Sequence, residues 1–566
     1  MEVSQKMSIK VTRRDVLVMG LAGAATGFLA GCSSKASTTA AKTGGLTIAG
    51  KTTGYMKDYA AGKQFKATKP IKTTMLFQDN PAYPYKSTWT VFSEIQKRTN
   101  VTLTPTVIPF ADFTNKKSVL INAGSAPDII AKTYPGQESP FVGGGAVLAV
   151  SDYVKYMPNF TKKVKDWNLE SDLSTLKQSD GKYYVLPGLH QTLNPDYTYA
   201  FRDDELDKLG IKHPTTWDEF KETLTELKKA HSDGYVYSDR YGGASALNQA
   251  AVQFGTSAGY SAVTSSDWGL GGGLTFDWDK AKFFFTPTDD NYKALVTYFA
   301  GLVKAGLMDP ETFTQTDDTA AAKFQTGKSF VISTNAQQLQ LDRTALGKNG
   351  VAGAKISKNV ILGGPKGKRL NGSRLENGIM LSSSTAKRDD FEAFLQFVDW
   401  QWYSDAAQIL VKWGVEGETY TYKDGKYNTA PGWKLAAYGF GDPSATKDIR
   451  IDDGFSCGNF MYGGTTAIVE SAMAPEELAW QKTITGYEIV KQNPSIPYTQ
   501  VEAQQAALQK TAVIDSVNTW TLNFILGKQP LSKWSDYVSE LKGKGLQAYI
   551  DGANKAYDDA NKPKKS

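Results

Sequence analysis

The sequence predicts an α/β protein built on mostly parallel sheets flanked by helices, and three observations carry that expectation. Ile71–Phe77 and Val101–Ile108 read as strands, while Thr90–Arg98 between them carries Val91, Phe92 and Ile95 at helical spacing. No hairpin turn joins the two strands, so a right-handed crossover sets them parallel. Much later, Asn377–Ser384 reads as another strand, followed by a helix whose face is Phe391, Leu395, Val398 and Trp402. The 566 residues, 41% hydrophobic and 12% aromatic, are enough for two or three domains with real cores.

The chain opens with Lys6, Lys10, Arg13 and Arg14, then an apolar run from Val16 to Ala30 that is too short for a permanent span. It ends in Leu29-Ala30-Gly31-Cys32, which resembles a bacterial lipoprotein signal peptide. That resemblance implies a diacylglyceryl thioether on Cys32, cleavage before it, and retention at a membrane by acyl chains such as palmitate. The other reading is a buried cysteine in an apolar helix. Thr12-Arg13-Arg14-Asp15-Val16-Leu17 leaves export by the general or the twin-arginine route open.

Ser33 to Thr68 is Ser, Thr, Ala, Gly and Lys with little to bury, and is expected to be a flexible tether. With Cys32 lipidated, Cys457 has no partner, so the folded part relies on its cores and not on disulfides. The net charge of +6 loses four basic and two acidic residues with the signal, and no basic stripe remains, which argues against nucleic acid as a partner. After the first strand, Gln78-Asp79-Asn80-Pro81-Ala82-Tyr83-Pro84-Tyr85 lies at a strand's carboxyl end, where parallel sheets collect ligands. A plain Pro-rich connection is the alternative.

Four passages then occur in order: Ser118–Ile130 (SVLINAGSAPDII), Gly145–Val154 (GAVLAVSDYV), Asp180–Pro187 (DGKYYVLP) and Phe201–Phe220 (FRDDELDKLGIKHPTTWDEF). In the last, Thr216 and Glu219 form a capping box, and Trp217, Phe220, Leu224 and Leu227 share a helix face. Together they resemble bacterial extracellular solute-binding proteins of family 1, the receptors of ABC importers. Trp413–Tyr420 with Lys423–Lys426, and Leu526–Val538 with Ala556–Asp558, are similar to the large lipoprotein branch called LplA-like, so the resemblance runs from Pro70 to Asp558.

The resemblance implies a two-lobed, type II periplasmic-binding-protein-like fold with a ligand cleft between lobes. The expected division is signal peptide 1–31, tether 32–68, first lobe 69–190, second lobe 191–350, return to the first lobe 351–410, and the second lobe with C-terminal helices 411–566. It further implies a saccharide ligand, ABC permease subunits as partners, a monomer lipid-anchored on the outer face of the cell membrane, and no cofactor. Many large members carry a calcium loop after the capping-box helix. Here Ala230–Arg240 has too few carboxylates for one, and no metal is expected there.

Enzymatic signatures are weak. Gly255-Thr-Ser-Ala-Gly259 matches a nucleophile elbow, but that fold needs a histidine after the serine, and His190, His213 and His231 all precede it. Neither metal-ligand spacing nor a P-loop appears, and the acid pairs Asp203-Asp204 and Asp452-Asp453 read as turns or helix starts, so no catalytic residue is assigned. A surface glycosidase, or a receptor for a peptide or other polar solute, remains the alternative.

Twelve Trp and 28 Tyr suit a saccharide cleft, since sugar rings pack flat on aromatic planes. Trp217 and Trp402 belong to helix faces. Tyr83, Tyr134, Trp268, Trp413 and Tyr462 stand beside loops or glycines and are the aromatic candidates; Asp79, Asn80, Lys132, Arg202 and Asn335 are the polar ones. Gly269–Gly273 is expected to form a surface loop or lid over the cleft.

Overall fold

Strand β1 (Ile71–Asp79) runs parallel to β2 (Val101–Pro109), with Ile71 opposite Val101 and Asp79 opposite Pro109, as the crossover through α1 (Thr90–Thr99) requires. In α1, Val91 and Ile95 are fully buried one turn apart, and Asn100 closes the helix in the left-handed conformation at φ 59°. The computed structural model describes residues 48–178, 180–256 and 272–561, and only the backbone of Gln500. Helix α2 (Phe113–Asn122) leads to β3 (Ile129–Thr133), parallel to β1 on its other side, and β4 (Leu186–His190) carries the chain out of the first lobe.

The second lobe begins at β5 (Thr198–Arg202). Its helix α3 (Trp217–Ala230) has the expected capping box, with the Glu219 N–H donating to the Thr216 hydroxyl, and buries Trp217, Phe220, Leu224 and Leu227. Helices α4 (Ala244–Phe254) and α5 (Asp290–Lys304) follow, then β6 (Val331–Thr334), α6 (Ala336–Lys348) and β7 (Ile356–Lys358). Here the sheet differs from the parallel expectation: β5 lies between β6 and β7 and is antiparallel to both. The chain enters this lobe at its interface edge and β5 runs outward, whereas β6 runs back toward the interface, so their directions oppose.

From β8 (Arg369–Asn371) the chain crosses into β9 (Leu375–Leu381), which slots antiparallel between β3 and β4. Gly378 makes that fit possible, because a Cβ there would lie 2.0 Å from the Leu186 carbonyl oxygen. Helices α7 (Phe391–Tyr403) and α8 (Asp405–Trp413) pack on this sheet, and β10 (Gly463–Gly464) completes it in the order β10-β4-β9-β3-β1-β2. Helix α9 (Pro475–Thr483) and β11 (Glu488–Val490, parallel to β8) return to the second lobe, which α10 (Gln500–Ile525), α11 (Trp534–Gly543) and α12 (Leu546–Asn561) close.

Each lobe has its own core. Met75, Ile95, Phe397, Trp400 and Phe455 belong to the first, and Trp217, Phe299, Val331, Val517 and Tyr537 to the second. These cores correct the expected boundaries. Residues 48–68 are not a free tether: Ile48, Phe65 and Ala67 are buried in the first core. Side chains supply what their composition lacks, since Asp399 accepts from the Tyr59 hydroxyl at 2.8 Å and Gln396 both accepts from and donates to the Met56 backbone. The return to the first lobe starts at β9, not at 351, because β7 is a second-lobe strand. It extends to about Ala472, because Trp413, Leu435, Ile449, Phe455 and Phe460 lie in the first core.

Candidate functional site

A cleft of about 570 Å³ opens between the lobes. Tyr83, Glu376, Lys412, Tyr438, Arg450 and Tyr462 are among the first-lobe residues that line it, and Asp196, Tyr197, Gln249, Gln253, Asn335 and Arg369 among those of the second. Loops on either side of strands supply these groups: Tyr462 precedes β10, Tyr197 precedes β5, and Asn335 follows β6.

Of the residues expected from the sequence, Tyr83, Tyr134, Asn335 and Tyr462 line the cleft. The Arg450 guanidinium lies 3.6 Å from the centre of the Tyr83 ring, and Tyr134 is 40% exposed. Asn335 caps α6, its Oδ1 accepting from the Gln338 N–H at 2.8 Å. Lys132 adopts φ 54°, a strained conformation for a lysine, and its ammonium donates to the Tyr462 hydroxyl 4.8 Å from that ring's centre.

Four others are elsewhere. Asp79 and Asn80 shape their own turn, accepting from the Tyr85 N–H at 2.7 Å and the Ala82 N–H at 2.9 Å. Arg202 is buried and bidentate to Asp204, at 2.8 and 2.7 Å. Trp413 is a core residue with no exposed surface, stacked on Tyr427 at 5.4 Å and donating its Nε1–H to Ser471 at 3.0 Å. Gly414 beside it marks close packing and not a loop, since a Cβ there would meet Thr419 Oγ1 at 2.2 Å. Trp268, Cys32, the elbow serine Ser257 and Gly269–Gly271 of the expected lid lie outside the described residues.

Sequence reasoning missed Arg450, Tyr438, Lys412 and the pair His190–Glu376, whose Nε2 and Oε2 are 2.6 Å apart. No local pattern announces them, because the fold brings positions 83, 132, 376, 412 and 450 together. Burial pushes the Lys412 ammonium down to about 8, opposed by Glu376, and burial also lowers Lys132. The Tyr197 hydroxyl is raised by burial. Cleft residues also contribute buried polar atoms without a protein partner: His190 Nδ1, Trp217 Nε1, Gln253 Oε1, Asn371 Oδ1 and Arg450 Nε. Such atoms are uncommon in folded proteins, and others lie away from the cleft, at Arg240, Trp400 and Gln401 among them, but these five are placed to meet a ligand.

Neither acid pair lines the cleft. Asp203 and Asp204 hold His213 and Arg202, while Asp452 and Asp453 hold Lys86 and Thr90. Among the described residues no three His, Cys, Asp or Glu side chains gather as metal ligands. In Ala230–Arg240 the buried Asp239 accepts from the Tyr237 hydroxyl and the Ser333 N–H. Beside that loop the Lys323 ammonium sits 2.7 Å from Asp309, 2.6 Å from Glu311 and 2.8 Å from the Gln315 amide oxygen, and Ser238 and Asp239 are tied to the same group through Asp309 and Gln315.

Comparison with known proteins agrees with this architecture. The fructooligosaccharide ABC transporter substrate-binding protein FusA of Streptococcus pneumoniae is 24% identical over 466 residues, covering 79% of this chain and 83% of its own. The polygalacturonan/rhamnogalacturonan-binding protein YtcQ of Bacillus subtilis is 25% identical over 82% of this chain and 88% of its own. The crystal structure of alginate-binding protein AlgQ2 superposes with a TM-score of 0.65 at 18% identity, covering 88% of this chain and 99% of that one, and so shares the fold. The family model described as bacterial extracellular solute-binding protein matches residues 79–409. With its two lobes, the cleft between them and a family match over more than half its length, this chain belongs to the bacterial extracellular solute-binding proteins.

Proposed function

We propose that the protein is a lipid-anchored receptor that captures an oligosaccharide between its lobes and delivers it to an ABC importer, without altering it. The observation that carries the reading is the cleft itself. Tyr83, Tyr134, Tyr197, Tyr438 and Tyr462 line it, while several hydrogen-bonding atoms of its walls lack partners. Relatives named for fructooligosaccharide and polygalacturonan/rhamnogalacturonan binding support a saccharide. Three crossings, after β4, after β8 and after β10, join the lobes and suit hinge closure around a ligand. Leu29-Ala30-Gly31-Cys32 supports lipidation at Cys32.

The test is an oligosaccharide screen by thermal shift, followed by solution scattering and by chromatography of the ligand after prolonged incubation. The expected result is at least one saccharide that raises the melting temperature, reduces the radius of gyration and is recovered intact. Recovery of a cleaved saccharide would make the protein a glycosidase, and binding without compaction would remove the hinge. For the anchor, fatty-acid label enters the wild-type chain and is lost in Cys32→Ser; equal labelling of both would overturn the assignment.

A further inference from the structure

The first-lobe wall of the cleft carries two cationic side chains, with a third behind it, that no carboxylate among the described residues pairs. Arg450 is only 6% exposed, stacks on Tyr83 and leaves its Nε without a partner. Lys412 lines the same wall, and Lys132 stands behind the lining residue Tyr462, its ammonium donating to that neutral hydroxyl. None of the three has a carboxylate oxygen within 4.0 Å among the described residues. Among the described residues the one acid lining this wall, Glu376, is engaged by His190 at 2.6 Å and acts on Lys412 and Lys132 only from beyond ion-pair distance.

The opposite wall is built differently. Its lining acids Glu477 and Asp196 are held by Lys358 behind them, at 2.9 and 3.2 Å, and its lining cation Arg369 by Glu488 at 2.7 Å, so its charges are neutralised within the protein. Desolvating a cation without a counter-charge is costly, and the cost is recovered only when an anion arrives. A neutral sugar needs donors and acceptors but no such field, and Gln249 and Gln253 already supply them. The burial that lowers Lys412 and Lys132 is that same cost read from the proton's side.

Resting on the saccharide reading, we propose that the ligand is an acidic oligosaccharide whose sugar carboxylate docks on Arg450 and Lys412 of the first lobe, with the charge of Lys132 behind Tyr462 adding to the attraction. Arg450, with its planar guanidinium fixed against Tyr83, presents the bidentate fork, and the two lysines act as point charges. The second lobe then reads the hydroxyls.

The mature protein is titrated calorimetrically with oligogalacturonates, oligomannuronates and oligoglucuronates, each beside its carboxyl-reduced counterpart, and with neutral fructo- and galacto-oligosaccharides. The expected outcome is that at least one acidic member binds about tenfold or more tightly than its reduced form, a charged hydrogen bond's worth, with an affinity that falls as salt rises. Lys412→Gln should weaken that member by about tenfold while leaving the melting temperature near the wild-type value, and Arg450→Gln should do so more strongly. Equal binding of acidic and reduced forms, or binding of neutral saccharides alone, overturns the proposal and leaves the receptor reading intact. Binding of no saccharide at all overturns both.

Discussion

Replacing Phe65 by alanine tests whether the stretch after the anchor is part of the first lobe. The ring has no exposed surface and packs against Tyr59 at 5.7 Å, edge to face, and against Phe397 at 6.5 Å. Removing a buried phenylalanine costs about 3–5 kcal/mol, of which about 1 kcal/mol belongs to the aromatic pair. With a urea slope of about 3 kcal/mol per molar, the unfolding midpoint of the first lobe falls by roughly 1 M or more, followed by circular dichroism. Lys66→Ala, at an exposed neighbouring position, is the control and should change stability by less than about 0.5 kcal/mol. If Phe65→Ala unfolds at the same urea concentration as Lys66→Ala, residues 48–68 are a tether after all and the packing argument fails.

Trp413→Ala should destabilise the first lobe by about 3–5 kcal/mol, since the indole is wholly buried; a stable variant with weakened ligand binding would contradict its core position. Burial raises the Asp399 carboxyl from 3.8 to about 6, so the native state holds more protons than the unfolded one between those values. Its contribution is then present below about pH 4 and is lost as the pH rises through 6, and the stability difference between wild type and Asp399→Asn should grow by roughly 2 kcal/mol as the pH falls from 7 to 4. A pH-independent difference in denaturant titrations would refute this. Lys323→Met leaves the buried Asp309 without its counter-charge and should cost about 3 kcal/mol, while EDTA leaves the wild-type melting temperature unchanged. A chelator-induced drop of several degrees, expected if an ion bound at a hundred times its dissociation constant were lost (about 2.7 kcal/mol), would reveal a missed metal site.

The elements legible in the sequence are those whose causes are local. The capping box at Thr216 and the apolar spacing of α3, or the strand, helix and strand from Ile71 to Pro109, are written within a dozen residues of themselves. Tyr83 and Tyr462 could be placed at the cleft because they adjoin turns at strand ends. Trp413 was misplaced by the same rule, because a glycine beside an aromatic marks a loop in one context and tight packing in another, and only the position of Thr419 and Phe455 distinguishes them. Phe65 is a lone phenylalanine in a polar stretch whose only other aromatics are Tyr55 and Tyr59, and the groups that fix that stretch, Gln396 and Asp399, lie more than 300 residues away. Arg450 carries no local signal, as its meaning comes from Tyr83 and from a guanidinium that, among the described residues, pairs with none of the acids flanking it in sequence.

The placing of β10 at the edge of the first sheet has a consequence for how the molecule comes into being. Gly463 pairs with Leu189, and Asn459 exchanges hydrogen bonds with the Gln78 backbone 381 residues earlier, so the first lobe cannot be completed until most of the chain is available. Closing so long a loop adds little to the equilibrium cost, about 0.6 kcal/mol for each doubling of length, but contacts of such separation slow the search for the native state. The second lobe's α3–α5 region, assembled from neighbouring segments, can take shape first. Until Gly463 and Gly464 arrive to cover it, β4 presents an unpaired edge.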